Sequence, residues 1–254
     1  MNRMRVTVPA CLITASLWLQ LLTSALAADS SAADRASSTS TAAPPRGAVV
    51  LFDGRNLDAW LSQKDRQWED SDGLADWTIL KDGSLEVVPG SGSLITKKRF
   101  GDIKLHVEFR LPHEKTNGGV FLMARYELGI KNGERNGNAP QFGCAFENLQ
   151  KPLRPAAPAL KPGAQWQVLD VDFHAPRLDS AGETSENARA TVFLNGIKIH
   201  DNVELGPRKG AAKRLGDAAT GPLMLQEHGT AYQFRNIWLL DRSNSAEKIV
   251  RPAS

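Results

Sequence analysis

Residues 103–111 read Ile103-Lys104-Leu105-His106-Val107-Glu108-Phe109-Arg110-Leu111. Apolar and polar side chains alternate without a break. Successive side chains of an extended chain point to opposite sides, so a period of two over nine residues describes a β-strand with one buried face. Lys104, His106, Glu108 and Arg110 then form an outward stripe of mixed charge, read here as solvated. Leu169, Val171 and Phe173 alternate with Asp170 and Asp172 in the same way. Asp170, Asp172 and His174 share a face and could hold a metal, although solvation is the simpler reading of acids spaced along one strand.

Working outward, strand-like runs recur at 77–80, 84–88, 119–130, 142–147, 188–194, 197–200, 222–228 and 231–240. Turn chemistry separates them at Lys81-Asp82-Gly83-Ser84, Pro89-Gly90-Ser91-Gly92, Asn117-Gly118-Gly119, Asn136-Gly137-Asn138 and Asn195-Gly196. Asn195-Gly196 is a hairpin signal, because a type I′ turn needs positive φ at both central residues. No stretch keeps a 3.6-residue period, apart from one short helical turn expected near Leu57 to Leu61. Many strands, short turns and almost no helix predict an all-β fold, a two-sheet antiparallel sandwich. The Pro/Gly/Lys-rich stretches 150–165 and 201–221 read as long connections, where binding functions often sit.

The first 27 residues read as a secretory signal peptide. Arg3 and Arg5 give a positive start, Cys11 to Leu22 an apolar run, and Ala25-Leu26-Ala27 a cleavage site. A retained N-terminal anchor is the alternative, but the run is short for a membrane span and no second one follows. Residues 28–46 are Ser, Thr, Ala and Pro without large apolar groups, and read as a disordered tether. The domain is expected over 47–242, with a C-terminal tail at 243–254. The mature chain is then exported, periplasmic or extracellular, without a membrane span. Removing Arg3 and Arg5 reduces the net charge of +3 to about +1, which disfavours nucleic acid as a partner. Of two cysteines only Cys144 lies beyond the signal, so no internal disulfide forms. Its apolar surroundings suggest a buried thiol in preference to a nucleophile.

The motifs GxxxxGK[ST], HExxH and GxSxG are absent, and Gly90-Ser91-Gly92 is an isolated glycine turn. What remains are polar residues on strands that otherwise look buried. Arg125 and Glu127 are expected on one strand face, Gln226 and His228 on another, with Arg235 and Asn236 inside Phe234-Arg235-Asn236-Ile237-Trp238. A charge on a half-buried strand either has a structural partner or marks a site. Trp60, Trp68 and Trp77 read as core, with sugar-stacking platforms as the alternative.

An ordered set of motifs carries a resemblance over roughly residues 47–242. It runs Phe52-Asp53-Gly54, Leu57-Asp58-Ala59-Trp60, Asn117-Gly118-Gly119-Val120-Phe121-Leu122, Arg125-Tyr126-Glu127, Gly163-Ala164-Gln165-Trp166-Gln167, Leu194-Asn195-Gly196, Gly221 to Gly229 and Phe234 to Trp238. This resembles the 3-keto-disaccharide hydrolase domain family. The resemblance implies a concanavalin A-like, jelly-roll sandwich and action on 3-keto-glycosides. A base removes the C2 proton, the C1 aglycone leaves, and water adds back for net hydrolysis. It implies Glu127 or His228 as the base. Arg125 or a metal would meet the enolate oxygen, and Gln226 would orient hydroxyls. Asn117 and Arg235 are further substrate-binding candidates on matching motifs. The cofactor is left unknown and a divalent metal left open, and the expected ligand is a carbohydrate.

The chain departs from that family at four places. The family's Gln is Gly129, its Asp is Asn132, and its Asn-Ser-Gly is Asn117-Gly118-Gly119. Its small-residue and Tyr segment has become Phe142-Gly143-Cys144-Ala145-Phe146-Glu147. Two alternatives therefore stay beside the enzyme. One is a non-catalytic carbohydrate-binding module with a degenerate site; the other is an envelope interaction domain.

Overall fold

Strand β7 (Ile103–Arg110) forms where the alternation places it, with Leu105, Val107 and Phe109 fully buried. It lies mid-sheet in the computed structural model, which describes residues 42–63, 73–113, 116–131 and 143–243. The proposed signal segment, most of the tether and tail, Trp68, Asn132, Asn136-Gly137-Asn138 and Phe142 lie outside the described residues.

Two antiparallel sheets make the sandwich. The larger runs β15 (Ile197–Leu205), β14 (Ala188–Leu194), β11 (Trp166–His174), β7, β17 (Gln233–Asp241), β5 (Leu85–Glu86) and β4 (Thr78–Ile79), with β1 (Val49–Phe52) also paired to β17. The smaller runs β10 (Ala145–Phe146), β9 (Tyr126–Lys131), β8 (Asn117–Leu122), β16 (Gly221–Leu225), β6 (Ser93–Phe100), β2 (Trp60–Gln63) and β3 (Gly73–Leu74). A ribbon of β12 (Arg177–Leu178) and β13 (Thr184–Glu186) stands apart. Neighbours such as β7 with β17 and β16 with β6 are far apart in sequence, so the chain crosses repeatedly between layers. The inward faces of both sheets meet in one core, including Leu105, Val107, Phe109, Val120, Leu122, Leu128, Phe173 and Leu225. This is the all-β, concanavalin A-like sandwich expected from the sequence. Trp60 and Trp77 are core residues whose Nε1–H groups donate to the carbonyls of Leu51 (2.8 Å) and Gly92 (2.9 Å).

Local departures have physical causes. The run 119–130 is two strands, because Met123 (φ 54°) and Ala124 (φ 52°) turn left-handed and Arg125 N–H donates to the Leu122 carbonyl at 3.0 Å. No Gly, Pro or Asn marks that turn. Asn195 (φ 54°) and Gly196 (φ 80°) make the expected hairpin between β14 and β15. The expected helical turn near Leu57 is a single turn, closed by Trp60 N–H on the Leu57 carbonyl, and Trp60 itself begins β2. The 201–221 connection is shorter than expected. Its start continues β15, and α1 (Gly210–Arg214) forms within it.

The stripe on β7 corrects the sequence reading most sharply. His106 and Glu108 are each only 2% exposed. β17 is irregular between Arg235 and Trp238, with Asn236 at φ 47°, and this lays Trp238 flat on His106 at 4.7 Å. His106 Nδ1 meets Asp170 Oδ1 at 2.7 Å, and Asn236 Nδ2 donates to Glu108 Oε1 at 2.9 Å. Asp172 pairs with Arg242 and Lys104, so the acids of β11 are engaged with neighbouring cations. Among the described residues no group of three or more His, Cys, Asp or Glu is placed to hold a metal.

Burial disfavours the charged His106, but hydrogen bonds and charge from Asp170 and Glu108 outweigh it and raise the imidazolium pKa to about 9. The folded state thus binds this proton more tightly than the unfolded chain. Its stabilisation is complete below the ordinary histidine pKa near 6.5 and disappears as pH rises through about 9. His106→Gln is therefore expected to cost up to about 3 kcal/mol at pH 6 and much less at pH 9.5, read by urea titration at both pH values.

Candidate functional site

The smaller sheet turns a second face away from the core. Along β8, β9 and β16 every other residue enters the main core: Val120 and Leu122, Leu128 and Ile130, Leu223 and Leu225. The intervening residues form a different surface. Ile95, Phe121, Ala124 and Met224 make a small apolar cluster there, with Leu61 beside it. Glu127 pairs across the strands with Phe121, Gly129 with Gly119, and Lys131 with Asn117. The apolar cluster therefore gives way directly to a polar row.

Two adjacent glycines shape that row. A Cβ on Gly119 would lie 3.2 Å from Glu127 Cγ and 3.3 Å from Gln226 Oε1. The bare backbone is what lets the carboxylate and the amide approach from opposite sides. Gly118 faces the other way, and a Cβ there would fall inside the phenol of Tyr232. That buried hydroxyl donates to the Gln226 carbonyl. Gln226 N–H in turn donates to the Gly119 carbonyl at 2.9 Å, so the chain beyond β16 stays paired with β8. The Gly118 position, serine in the family pattern, here makes room for a tyrosine supporting the site from below.

The same extension carries His228. Asn117 Nδ2 lies 2.7 Å from His228 Nδ1. An amide NH2 can only donate, so Nδ1 accepts and a neutral ring carries its proton on Nε2. His228 is exposed, while Glu127, Gln226 and Asn117 are partly exposed. Solvent reaches all four.

The backbone of Glu127 is held on both sides. Its N–H donates to Asn148 Oδ1 at 3.1 Å, and its carbonyl accepts from Glu147 N–H at 3.2 Å. Burial pushes its carboxyl up to about 7, and the neighbouring Glu147 charge pushes the same way, against partial relief from Lys131 and Lys209. A carboxyl tuned near neutrality serves proton transfer at physiological pH.

The structure thus brings Glu127, Gln226, Asn117 and His228 to one face, and leaves two expected partners elsewhere. Arg125 is 1% exposed and sits in the β8–β9 turn, before the strand that carries Glu127. Its guanidinium donates to the carbonyls of Gly216 (2.9 Å), Met123 (3.1 Å) and Leu215 (3.3 Å). Arg235 lies on β17 of the other sheet, bonded to Glu108 Oε2 at 2.7 Å and stacked over Trp166 at 4.2 Å. Cys144 is fully buried, and burial pushes its thiol up to about 12, so it stays protonated.

Sequence reasoning missed Lys131, Glu147, Asn148, Lys209 and Tyr232. Lys131 was readable, being four residues beyond Glu127 on the same face of an alternating strand. The others reach the site through tertiary packing and leave no local signal.

Among solved structures, one crystal structure of a "putative glycosyl hydrolase" from Parabacteroides distasonis matches with a TM-score of 0.65 and 29% identity, over 78% of this chain and 84% of that one. A second protein of the same description and organism matches at 0.53 and 17% identity, over 77% and 94%, and shares the fold. No curated protein matches significantly. Residues 47–240 match the profile of the 3-keto-alpha-glucoside-1,2-lyase-like domain, nearly the span delimited by the motifs. With that match running through both glycines of β8, the strand bearing Glu127 and the extension bearing His228, the chain belongs to the 3-keto-alpha-glucoside-1,2-lyase-like domain family.

Proposed function

We propose that this chain acts on 3-keto-glycosides, with Glu127 as the base and His228 as the proton donor. One observation carries the reading. A carboxyl held near pKa 7 stands on a solvent-reached face beside an amide and an imidazole whose Nε2 bears the proton. The family match supports the same chemistry.

A ketone at C3 acidifies the C2 proton. Glu127 takes that proton, and the C–H electron pair becomes the C2=C3 bond of an enolate as the carbonyl pair moves onto O3. The enolate then collapses. O3 returns its pair to the C3 carbonyl, a C1=C2 bond forms, and the C1–O bond breaks with its pair on the aglycone oxygen. His228 Nε2–H protonates that oxygen. Addition of water across C1=C2 completes net hydrolysis. Gln226 and Asn117 are placed to hold sugar hydroxyls, and Asn117 also fixes the ring of His228.

The direct test is incubation with a 3-keto-glucoside, followed by NMR. Free aglycone together with the enone or the keto-sugar is expected, while the parent glucoside stays intact. An unchanged 3-keto-glucoside at micromolar protein would contradict the proposal and favour a sugar-binding module.

Export is part of this reading, carried by the leader pattern of residues 1–27. N-terminal sequencing of the protein recovered outside the cytoplasm is expected to begin at Ala28; a chain still starting at Met1 would contradict it. Among the described residues no helix is long and apolar enough to cross a membrane.

A further inference from the structure

Enolate chemistry requires a cation or strong donor where negative charge gathers on O3. Arg125 is spent on backbone carbonyls and does not reach the site face. The space over Gly129 holds a candidate. A Cβ on Gly129 would lie 2.8 Å from Glu147 Cγ, 3.3 Å from Glu147 Oε1 and 3.4 Å from Lys131 Cε. Two charged side chains thus converge over bare backbone, one step along the strand face from Glu127. Lys131 Nζ meets Glu147 Oε1 at 3.0 Å, yet the lysine side chain is 44% exposed, so its ammonium has donors left for a ligand. The family's glutamine could not occupy position 129 without displacing Glu147. Gly129, Glu147 and Lys131 therefore form one set.

We propose that Lys131 is the cation that meets the enolate oxygen, steered by its ion pair with Glu147 over Gly129. The inference rests on the 3-keto-glycoside reading and adds a residue to it. In the step, Lys131 donates a hydrogen bond to O3 and keeps its protons; the C2 proton goes to Glu127. Lys209 is the other cation whose charge reaches Glu127, but it is an exposed residue of the loop before α1. Lys131 stands on a paired strand and is oriented by a carboxylate. Glu147 is a positioning residue, and its charge also acts on Glu127.

The test uses the full mature chain and a 3-keto-glucoside with a chromogenic aglycone. Lys131→Met is expected to lower kcat about 100-fold or more with little change in KM, because the contact strengthens only as O3 becomes charged. Lys131→Arg should recover part of the loss, and Lys198→Met, on β15 of the larger sheet and away from the site, should stay within about 3-fold of wild type. The charged groups facing Glu127 are Glu147, Lys131 and Lys209, with the Tyr232 phenol beneath. Removing the Lys131 charge should therefore move the acid limb of kcat/KM to higher pH, and Glu147→Gln should move it lower. A loss in Lys131→Met through unfolding would appear in its melting curve, which is expected to match wild type. Wild-type release with Lys131→Met within about 3-fold of it overturns the inference and leaves the 3-keto-glycoside reading standing. An inert wild-type protein overturns both.

Discussion

Glu127→Gln is expected to lower kcat for aglycone release by about 10²–10⁴-fold, the range typical for loss of a general base. The isosteric amide keeps the backbone bonds to Asn148 and Glu147, so the sheet should be undisturbed. The same substitution carries a second expectation of opposite benefit. Folding raises the Glu127 pKa from its ordinary 4.5 to about 7. Between those values the folded state holds a proton that the unfolded chain has released, so stability declines as pH rises through the window. Above it, the native state carries a buried carboxylate repelled by Glu147. Glu127→Gln should therefore be more stable than wild type at pH 8, by up to about 3 kcal/mol, and nearly equal at pH 4. Thermal melts at both pH values, set beside the kinetic loss, separate a tuned base from a structural carboxylate. A structural carboxylate would lose stability on substitution at both.

Arg125→Met should fail differently. The guanidinium binds three carbonyls from two segments in a buried turn. The turn it closes has two left-handed non-glycine residues, Met123 and Ala124. Methionine fills the volume but leaves those carbonyls unpaired, each at a cost of about 1–3 kcal/mol. A loss of about 3–5 kcal/mol is expected, visible as a lower urea midpoint. The fraction that remains folded should keep a KM close to wild type, because Arg125 does not reach the site face. A variant with native stability and a greatly raised KM would return Arg125 to the substrate.

The period of two made most of the sandwich legible. The alternation over residues 103–111 specifies the buried face of β7, and Asn195-Gly196 specifies the β14–β15 hairpin by its φ requirement. The left-handed turn at Met123-Ala124 was hidden because its support comes from Arg125 bonding to a loop about 90 residues away. The buried state of His106 and Glu108 was hidden for a related reason. Polar residues on a regular strand read as solvated, and only the irregularity in β17 brings Trp238 over them. Of the candidate site, Glu127, Gln226 and His228 were legible because motif and alternation agreed. Asn117 was legible from its motif alone, since Asn117-Gly118-Gly119, expected to be a turn, is the start of β8, where the two glycines are kept bare by Tyr232, Glu127 and Gln226. Arg125 and Arg235 were misjudged because a charge on a half-buried strand looks the same whether it clamps backbone or faces a ligand. Gly129 read as a loss. In space it is the opening that Glu147 and Lys131 fill.

The central claim is that Glu127 removes the C2 proton of a 3-keto sugar. Wash-in of solvent deuterium at C2, followed by NMR in D2O, reports that step without requiring the aglycone to leave. Wild-type protein should catalyse exchange at a rate that rises with pH through about 7, and Glu127→Gln should exchange no faster than buffer. Equal exchange in the two proteins, or exchange indifferent to pH across that range, would contradict the account.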